Sequence, residues 1–205
     1  ARIEDLSLRT GEFKDLLLSL DSAAMHEKMA DYLIRGKSDA RLDSLAAKFA
    51  GYVWDDKYDL LGFSVLSRAG LACALLAAKK VKEKTSVPVV FGGTWITYAA
   101  LRLSEKTLDF FFNNYRFVDF AVRGDGELAL LKLLEHLRGI VKAAEVPNLI
   151  YRLGGAIHVP EIQSYRLEAI LPPDFDSLPL ERYHRTKLPP VNIFRQAPLR
   201  AGAPG

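Results

Sequence analysis

Residues 58–66 (YDLLGFSVL), 87–91 (VPVVF) and 117–122 (FVDFAV) are three short apolar runs rich in β-branched and aromatic side chains. Near-continuous runs of this length suit strands covered on both faces in a parallel sheet. Two of them lead into glycine-bearing turns, Gly92-Gly93 and Gly124. Helical spacing fills the stretches 69–84, 96–104 and 127–141. In the last, Leu130, Leu131, Leu134 and Leu137 form an apolar stripe, with Lys132, Glu135 and Arg138 off it. This strand–helix alternation predicts an α/β fold: a doubly wound, mostly parallel, Rossmann-like (flavodoxin-like) sheet with right-handed crossovers.

Working outward, residues 2–8 (RIEDLSL) alternate apolar and polar, as an edge strand does, and residues 12–52 are helix-prone with turn chemistry at 36–39. Residues 148–152 (NLIYR), the pair Gly154-Gly155 and residues 156–159 (AIHV) form a hairpin signature. Beyond Pro160 the periodicity fades, and Pro172, Pro173, Pro179, Pro189 and Pro190 punctuate an extended tail. The expected organisation is an α/β domain over 1–145, a small β-hairpin appendage over 146–171 and a proline-rich linker or tail over 172–205.

Composition narrows the function classes. With 205 residues, 49% of them hydrophobic and 26% charged, the chain has the balance of a globular domain, not of a disordered or collagen-like one. A net charge of +3 with no basic run argues against a nucleic-acid partner. One cysteine, Cys73, excludes an internal disulfide and any multi-cysteine metal or iron–sulfur site. No apolar run approaches the ~18 residues of a membrane span, and the first residues are charged rather than signal-like. The expected setting is cytoplasmic, with no membrane partner.

In an open α/β sheet, ligands sit beyond the carboxyl ends of the strands. That rule selects three loops, 64–70, 92–97 and 123–127. The first carries the hydroxyls of Ser64 and Ser67 around Leu66. The second has Gly92 and Gly93, which admit a bulky ligand to the backbone, then Thr94 and Thr97. The third, Arg123-Gly124-Asp125-Gly126-Glu127, places carboxylates at a helix start, where they also serve as ordinary helix-terminal charges. Residues 124–129 match the dinucleotide pattern G-x-G-x-x-A. Two fixed carboxylates, Asp125 and Glu127, would stand where a pyrophosphate must bind, and the motif follows the last strand instead of the first. A dinucleotide site is therefore excluded.

The ordered set Asp59-Leu60-Leu61-Gly62-Phe63-Ser64-Val65-Leu66-Ser67, Pro88-Val89-Val90-Phe91-Gly92-Gly93 and Val118 through Glu127 resembles the cobalamin-binding domain that precedes the barrel in cobalamin-dependent radical S-adenosylmethionine (radical SAM) enzymes. The resemblance continues through Val146-Pro147-Asn148-Leu149-Ile150-Tyr151-Arg152 and the hairpin to Asp174-Phe175-Asp176-Ser177-Leu178-Pro179, which looks like that family's linker. It implies that Ser64-Val65-Leu66 and Gly92-Gly93 line the groove for the dimethylbenzimidazole nucleotide tail. It also implies that residues 123–127 lie near the lower face of the corrin. The cofactor-binding residues it implies are thus Ser64, Leu66, Ser67, Gly92, Gly93, Thr94, Gly124, Asp125, Gly126 and Glu127.

The sequence departs from that pattern in three places. Many cobalamin domains carry D-x-H-x-x-G, whose histidine ligates cobalt; the nearest string here, 134–139 (LEHLRG), lacks the aspartate, so His136 reads as a surface helical residue. His26, His158 and His184 occur singly, and no residue is assigned as a metal ligand. The C-x-x-x-C-x-x-C motif of the radical cluster is absent, so the 4Fe-4S cluster and S-adenosylmethionine would belong to a downstream barrel partner, and no catalytic residue is assigned to this chain. The family's first strand is expected ahead of Ala1, in the centre of a 2-1-3-4-5 sheet, which predicts a defective sheet that self-associates or borrows a strand. The piece 191–194 (VNIF) is one source of such a strand, direct closure of the neighbours another.

The expected function is a cobalamin-binding module holding a base-off cofactor, not a complete catalyst. In the full enzyme the cobalamin would pass on a methyl group, as in a methyltransferase, or assist another radical step. The alternative is a noncatalytic flavodoxin-like interaction or signalling domain. Receiver-type signalling is disfavoured, because Asp59 begins its run and Asp119 lies within one, away from the strand ends that phosphorylation chemistry uses.

Overall fold

A computed structural model of the chain describes residues 23–163. The expected strand at 2–8, the proline-rich tail at 172–205 and the piece at 191–194 lie outside the described residues.

Two helices come first, α1 (Ala23–Leu33) and α2 (Ala40–Val53). The turn between them uses Gly36 at φ 67°, and Asp39 caps α2 by accepting from the backbone N–H groups of Arg41 and Leu42 at 3.0 Å each. Strand β1 (Leu61–Ser64) follows, then α3 (Arg68–Lys82), β2 (Val89–Gly92), α4 (Thr94–Arg102), α5 (Glu105–Asn114), β3 (Phe120–Val122) and α6 (Glu127–Leu137). A 3-10 turn (Ala143–Glu145) leads into β4 (Leu149–Leu153) and β5 (Ala156–His158). The residues between Ser104 and Phe117, to which the sequence pattern assigns no element, form α5. Its start is set by Ser104, whose hydroxyl accepts from the Thr107 N–H at 3.3 Å.

The sheet order is β1-β2-β3-β4-β5. Strands β1, β2 and β3 are parallel, with Gly62 beside Val90 and Ser64 beside Gly92. The fold is a Rossmann-like α/β sheet, as the alternating runs predict. The hairpin is continuous with it, because β4 pairs antiparallel with β3 (Ala121 beside Ile150) and β5 pairs with β4. Gly154 and Gly155 both have positive φ, 60° and 85°, which a two-residue turn matching the strand twist requires. The Arg152 guanidinium locks the hairpin down, donating to the carbonyls of Phe112, Arg116 and Val118 at 2.6 to 3.2 Å.

The strands are shorter than the apolar runs that mark them, because the run ends serve as loop anchors. Asp119 is one: its carboxylate accepts from the Val89 N–H and from the Lys82 ammonium, both at 2.8 Å, tying β2, the end of α3 and the entry to β3. Side-chain alternation gives the sheet two unlike faces. Leu61, Phe63, Val89, Phe91, Ala121 and Ile150 point to one, where α1 to α5 all contribute to a single apolar cluster. The small side chains of Ala72, Ala74, Ala77 and Ala78 let α3 pack closely there. Val90, Val122, Leu149 and Tyr151 point to the other face, where α6 covers them with Ala129 and Leu133. Among the described residues β1 is an edge strand, and its Gly62 and Ser64 on this second face are left exposed.

Candidate functional site

A groove of about 500 Å³ opens on that second face, running from the exposed side of β1 and β2 to the first turns of α6. Gly62, Ser64, Val90, Gly92 and Val122 form its floor, and Gly124, Gly126, Glu127 and Leu130 form its far wall. The floor follows from strand alternation: Gly62 and Ser64 share a face of β1, and their parallel neighbours Val90 and Gly92 share the same face of β2. Its upper end lies at the carboxyl ends of the strands, the position the α/β rule selects.

Three of the groove's glycines, Gly62 and Gly92 in the floor and Gly126 in the wall, are not required by the protein's own packing. A Cβ at Gly62 would meet the Val90 side chain at 3.6 Å, one at Gly92 would meet the Val122 carbonyl at 3.7 Å, and one at Gly126 would meet nothing within 4 Å. None of the three has positive φ. Their small size therefore keeps the groove open, and any side chain there would project into room the chain can spare.

Gly93 differs from its neighbour. Its φ is 95°, and a Cβ would stand 2.7 Å from both the nitrogen and the oxygen of Val65. That backbone is committed: Val65 N–H donates to the Gly92 carbonyl at 2.8 Å, and the Val65 carbonyl accepts from the Trp95 N–H at 3.0 Å. The reading of Gly92-Gly93 as a pair that admits a ligand thus separates into two roles. Gly92 gives clearance in the groove; Gly93 lines the groove as well, and its missing Cβ lets the β2–α4 turn press against the end of β1.

The two serines also separate. Ser64 is exposed on the groove floor, and its hydroxyl has no hydrogen-bond partner among the described residues. Ser67 caps α3 instead, its Oγ accepting from the Gly70 N–H at 3.1 Å. Leu66, 71% exposed, is an apolar side chain offered to solvent at the carboxyl end of β1. Thr94 is the exposed first residue of α4. Asp125 and Glu127 are exposed at the start of α6, where neither caps the helix through its side chain.

Residues not singled out by sequence complete the site. Gly62, Val90, Val122 and Leu130 line the groove; the period-two pattern of the strands was the signal that links Gly62 to Ser64. Thr97 joins two of the predicted loops. Its hydroxyl donates to the Gly93 carbonyl at 3.1 Å and accepts from the Gly124 N–H at 2.9 Å, so it sets loop spacing and is not free for a ligand.

The groove is lined by backbone, small side chains and a few polar atoms. It falls within the ordinary range of small-molecule sites. No cluster of three or more histidine, cysteine, aspartate or glutamate side chains able to hold a metal ion occurs among the described residues. The His136 ring bonds the Val141 carbonyl at 3.0 Å, His158 stacks on Tyr151 with ring centres 5.0 Å apart, and His26 is exposed on α1. None of them lines the groove. Cys73 is partly buried on α3, where desolvation raises its thiol pKa to about 11.

Fold and groove together define a Rossmann-like α/β protein with an open, glycine-floored cleft at the carboxyl side of its parallel strands. No helix among the described residues is long and apolar enough to cross a membrane. No protein-family model, no curated protein and no solved structure matches the chain.

Proposed function

We propose that this protein is a cobalamin-binding module, with the nucleotide tail of a base-off cobalamin lying in the groove between β1, β2 and α6. The observation that carries the reading is the set Gly62, Ser64 and Gly92: neighbouring positions on one sheet face, small without an internal packing reason, with one uncommitted hydroxyl among them. The resemblance of the 58–67, 88–93 and 118–127 segments to the cobalamin domains of radical SAM enzymes supports it independently of the groove. When bound, the cofactor would supply methyl-transfer or radical chemistry at cobalt. The chain's own contribution would be placement. Gly62 and Gly92 give the tail clearance, the Ser64 hydroxyl meets a polar atom of it, and Val90, Val122 and Leu130 exclude water along its apolar side. Leu66 and Thr94, exposed above the strands, would face the corrin. Catalysis would fall to a radical SAM barrel domain.

The alternative, a noncatalytic interaction domain, draws on one observation: the outer edge of β1 carries no strand among the described residues, and an edge of this kind is a template for a protein partner. Incubation with hydroxocobalamin, followed by gel filtration and absorbance of the protein peak, separates the two. Retained cofactor with a base-off spectrum is expected. No retained absorbance, or a base-on spectrum, would sink the cobalamin reading.

A further inference from the structure

The loop after β3 holds a second feature, on the opposite side of the sheet from the groove. Val122 faces α6, whereas Ala121 faces the five-helix side. Arg123 continues the strand, its N–H donating to the Asn148 carbonyl at 3.2 Å. By alternation its side chain leaves the sheet on the Ala121 side, alongside Asn148. Arg123 and Asn148 are the two polar residues that are buried among the described residues, 8% and 0% exposed.

The two are satisfied very differently. Asn148 makes a closed pair with Gln163, donating from Nδ2 to its carbonyl at 2.9 Å and accepting from its N–H at 2.8 Å. Among the described residues Arg123 has no carboxylate within ion-pair distance, and its buried Nε has no hydrogen-bond partner. Arg152 shows how this fold treats a desolvated guanidinium that serves structure alone: three backbone carbonyls receive it. The backbone beside Arg123 adds partial positive charge, while Asp125 and Glu127 stand exposed further along the loop. The successor of Arg123, Gly124, is bonded to Thr97, in the first turn of α4, and the partial positive charge of a helix N-terminus accumulates there.

A guanidinium stays protonated even where burial lowers its pKa, and an unpaired buried charge is costly. Its planar fork is matched by the two oxygens of a carboxylate or phosphate. We propose that Arg123 is the centre of an oxyanion site, in which its Nε–H and a neighbouring Nη–H hold a carboxylate or phosphate group on the sheet face opposite the groove. The site does not depend on the cobalamin reading, because Val122 and Arg123 point to different faces.

The test is titration of the 15N-labelled protein with sodium phosphate and, separately, with sodium acetate, sodium chloride holding ionic strength constant. The Arg123 Nε–H resonance, assigned through bonds in the wild-type protein, should shift saturably with one anion or both. Phosphate alone would identify a phosphoryl group, acetate alone a carboxylate. The same anion should raise the melting temperature. Arg123→Met should abolish that rise while melting no lower than wild type in chloride, since it removes an unpaired charge. Arg123→Lys, which keeps the charge but loses the fork, should weaken binding about tenfold. A resonance that neither anion moves overturns the proposal, and so does a melting response that survives in Arg123→Met. Should Arg123→Met fail to fold, the wild-type resonance decides alone.

Discussion

The two faces of the sheet are built by opposite means. On one, five helices and the aromatic pair Phe63 and Phe91, with ring centres 5.1 Å apart, pack against β1 to β4 in one apolar cluster, with a pocket of about 260 Å³ between α4, α5 and the strand residues Phe91, Ala121 and Ile150. On the other, among the described residues, α6 and the turn through Val146 cover β2, β3 and β4, and β1 presents Gly62 and Ser64 to an open groove. The first face spends its large side chains on stability. The second withholds them over β1 and the end of β2, and the resulting gap is lined largely by backbone and small residues. Within the described residues, then, the candidate site is defined less by what the chain puts there than by what it leaves out.

The sharpest way to break that comparison is at the adjacent glycines. Gly93→Ala puts a Cβ against the Val65 backbone at a positive φ, and strain plus overpacking should cost about 2–5 kcal/mol in urea denaturation. A loss under ~1 kcal/mol would show that the β2–α4 turn does not depend on that close approach. Next in size are two core truncations, one per face. Leu76→Ala and Leu133→Ala both remove fully buried side chains and should each cost about 2–5 kcal/mol. Only Leu133→Ala, by loosening the helix that walls the groove, should also lower cobalamin retention. Equal retention in the two variants would detach the groove from α6.

Gly92→Val should be nearly neutral for stability, within about 1 kcal/mol, because its Cβ meets only an ordinary contact and valine suits a strand. It should nevertheless reduce cobalamin affinity by about tenfold or more by filling the floor, a loss of ~1.4 kcal/mol in binding. Unchanged affinity, measured by equilibrium dialysis, would place the tail elsewhere.

A pH dependence belongs to the five-helix face. Burial, and secondarily the bond to Asp43, raises the Tyr32 hydroxyl from 10.0 to about 12, and burial raises the Cys73 thiol from 9.0 to about 11. In each case the native state keeps a proton that the unfolded chain releases. The associated stability is therefore complete below the unfolded values and is lost as pH rises from about 9 toward about 12. Denaturation midpoints should fall across that window, by less in Cys73→Ala. Cys73 should also react slowly with a thiol reagent at pH 8, where little thiolate exists; labelling at the rate of a free thiol would contradict its burial.

Much of the fold was legible because parallel strands, buried on both sides, must be apolar along their length, and because Gly154-Gly155 fits the turn a tight hairpin needs. Helix α5 was not: Leu108, Phe111 and Phe112 do recur at helical spacing, but the segment is short, and its run of three phenylalanines followed by two asparagines hides that stripe in the sequence. The strand boundaries were also too generous at 58–66 and 117–122, where Asp119 and its neighbours anchor loops instead of extending the ladder. For the site, the three loops were legible from strand ends alone, because ligand position in this architecture follows from topology. Individual roles were not. Ser64 and Ser67 look equivalent in sequence, yet one lies on the groove floor and the other caps a helix.

What the sequence determined by itself was the local chemistry: which runs pair as strands, where helices begin, which loops carry glycine and hydroxyl. Periodicity and turn propensity act over a few residues, and those residues are adjacent in the chain. The tertiary structure decided the rest. It separated Gly92 from Gly93, set Thr97 between two loops, joined the hairpin to the sheet, and left Arg123 buried without a counter-charge among the described residues. Each of these depends on which atoms from distant segments arrive beside a residue, a property of packing that spacing along the chain does not encode.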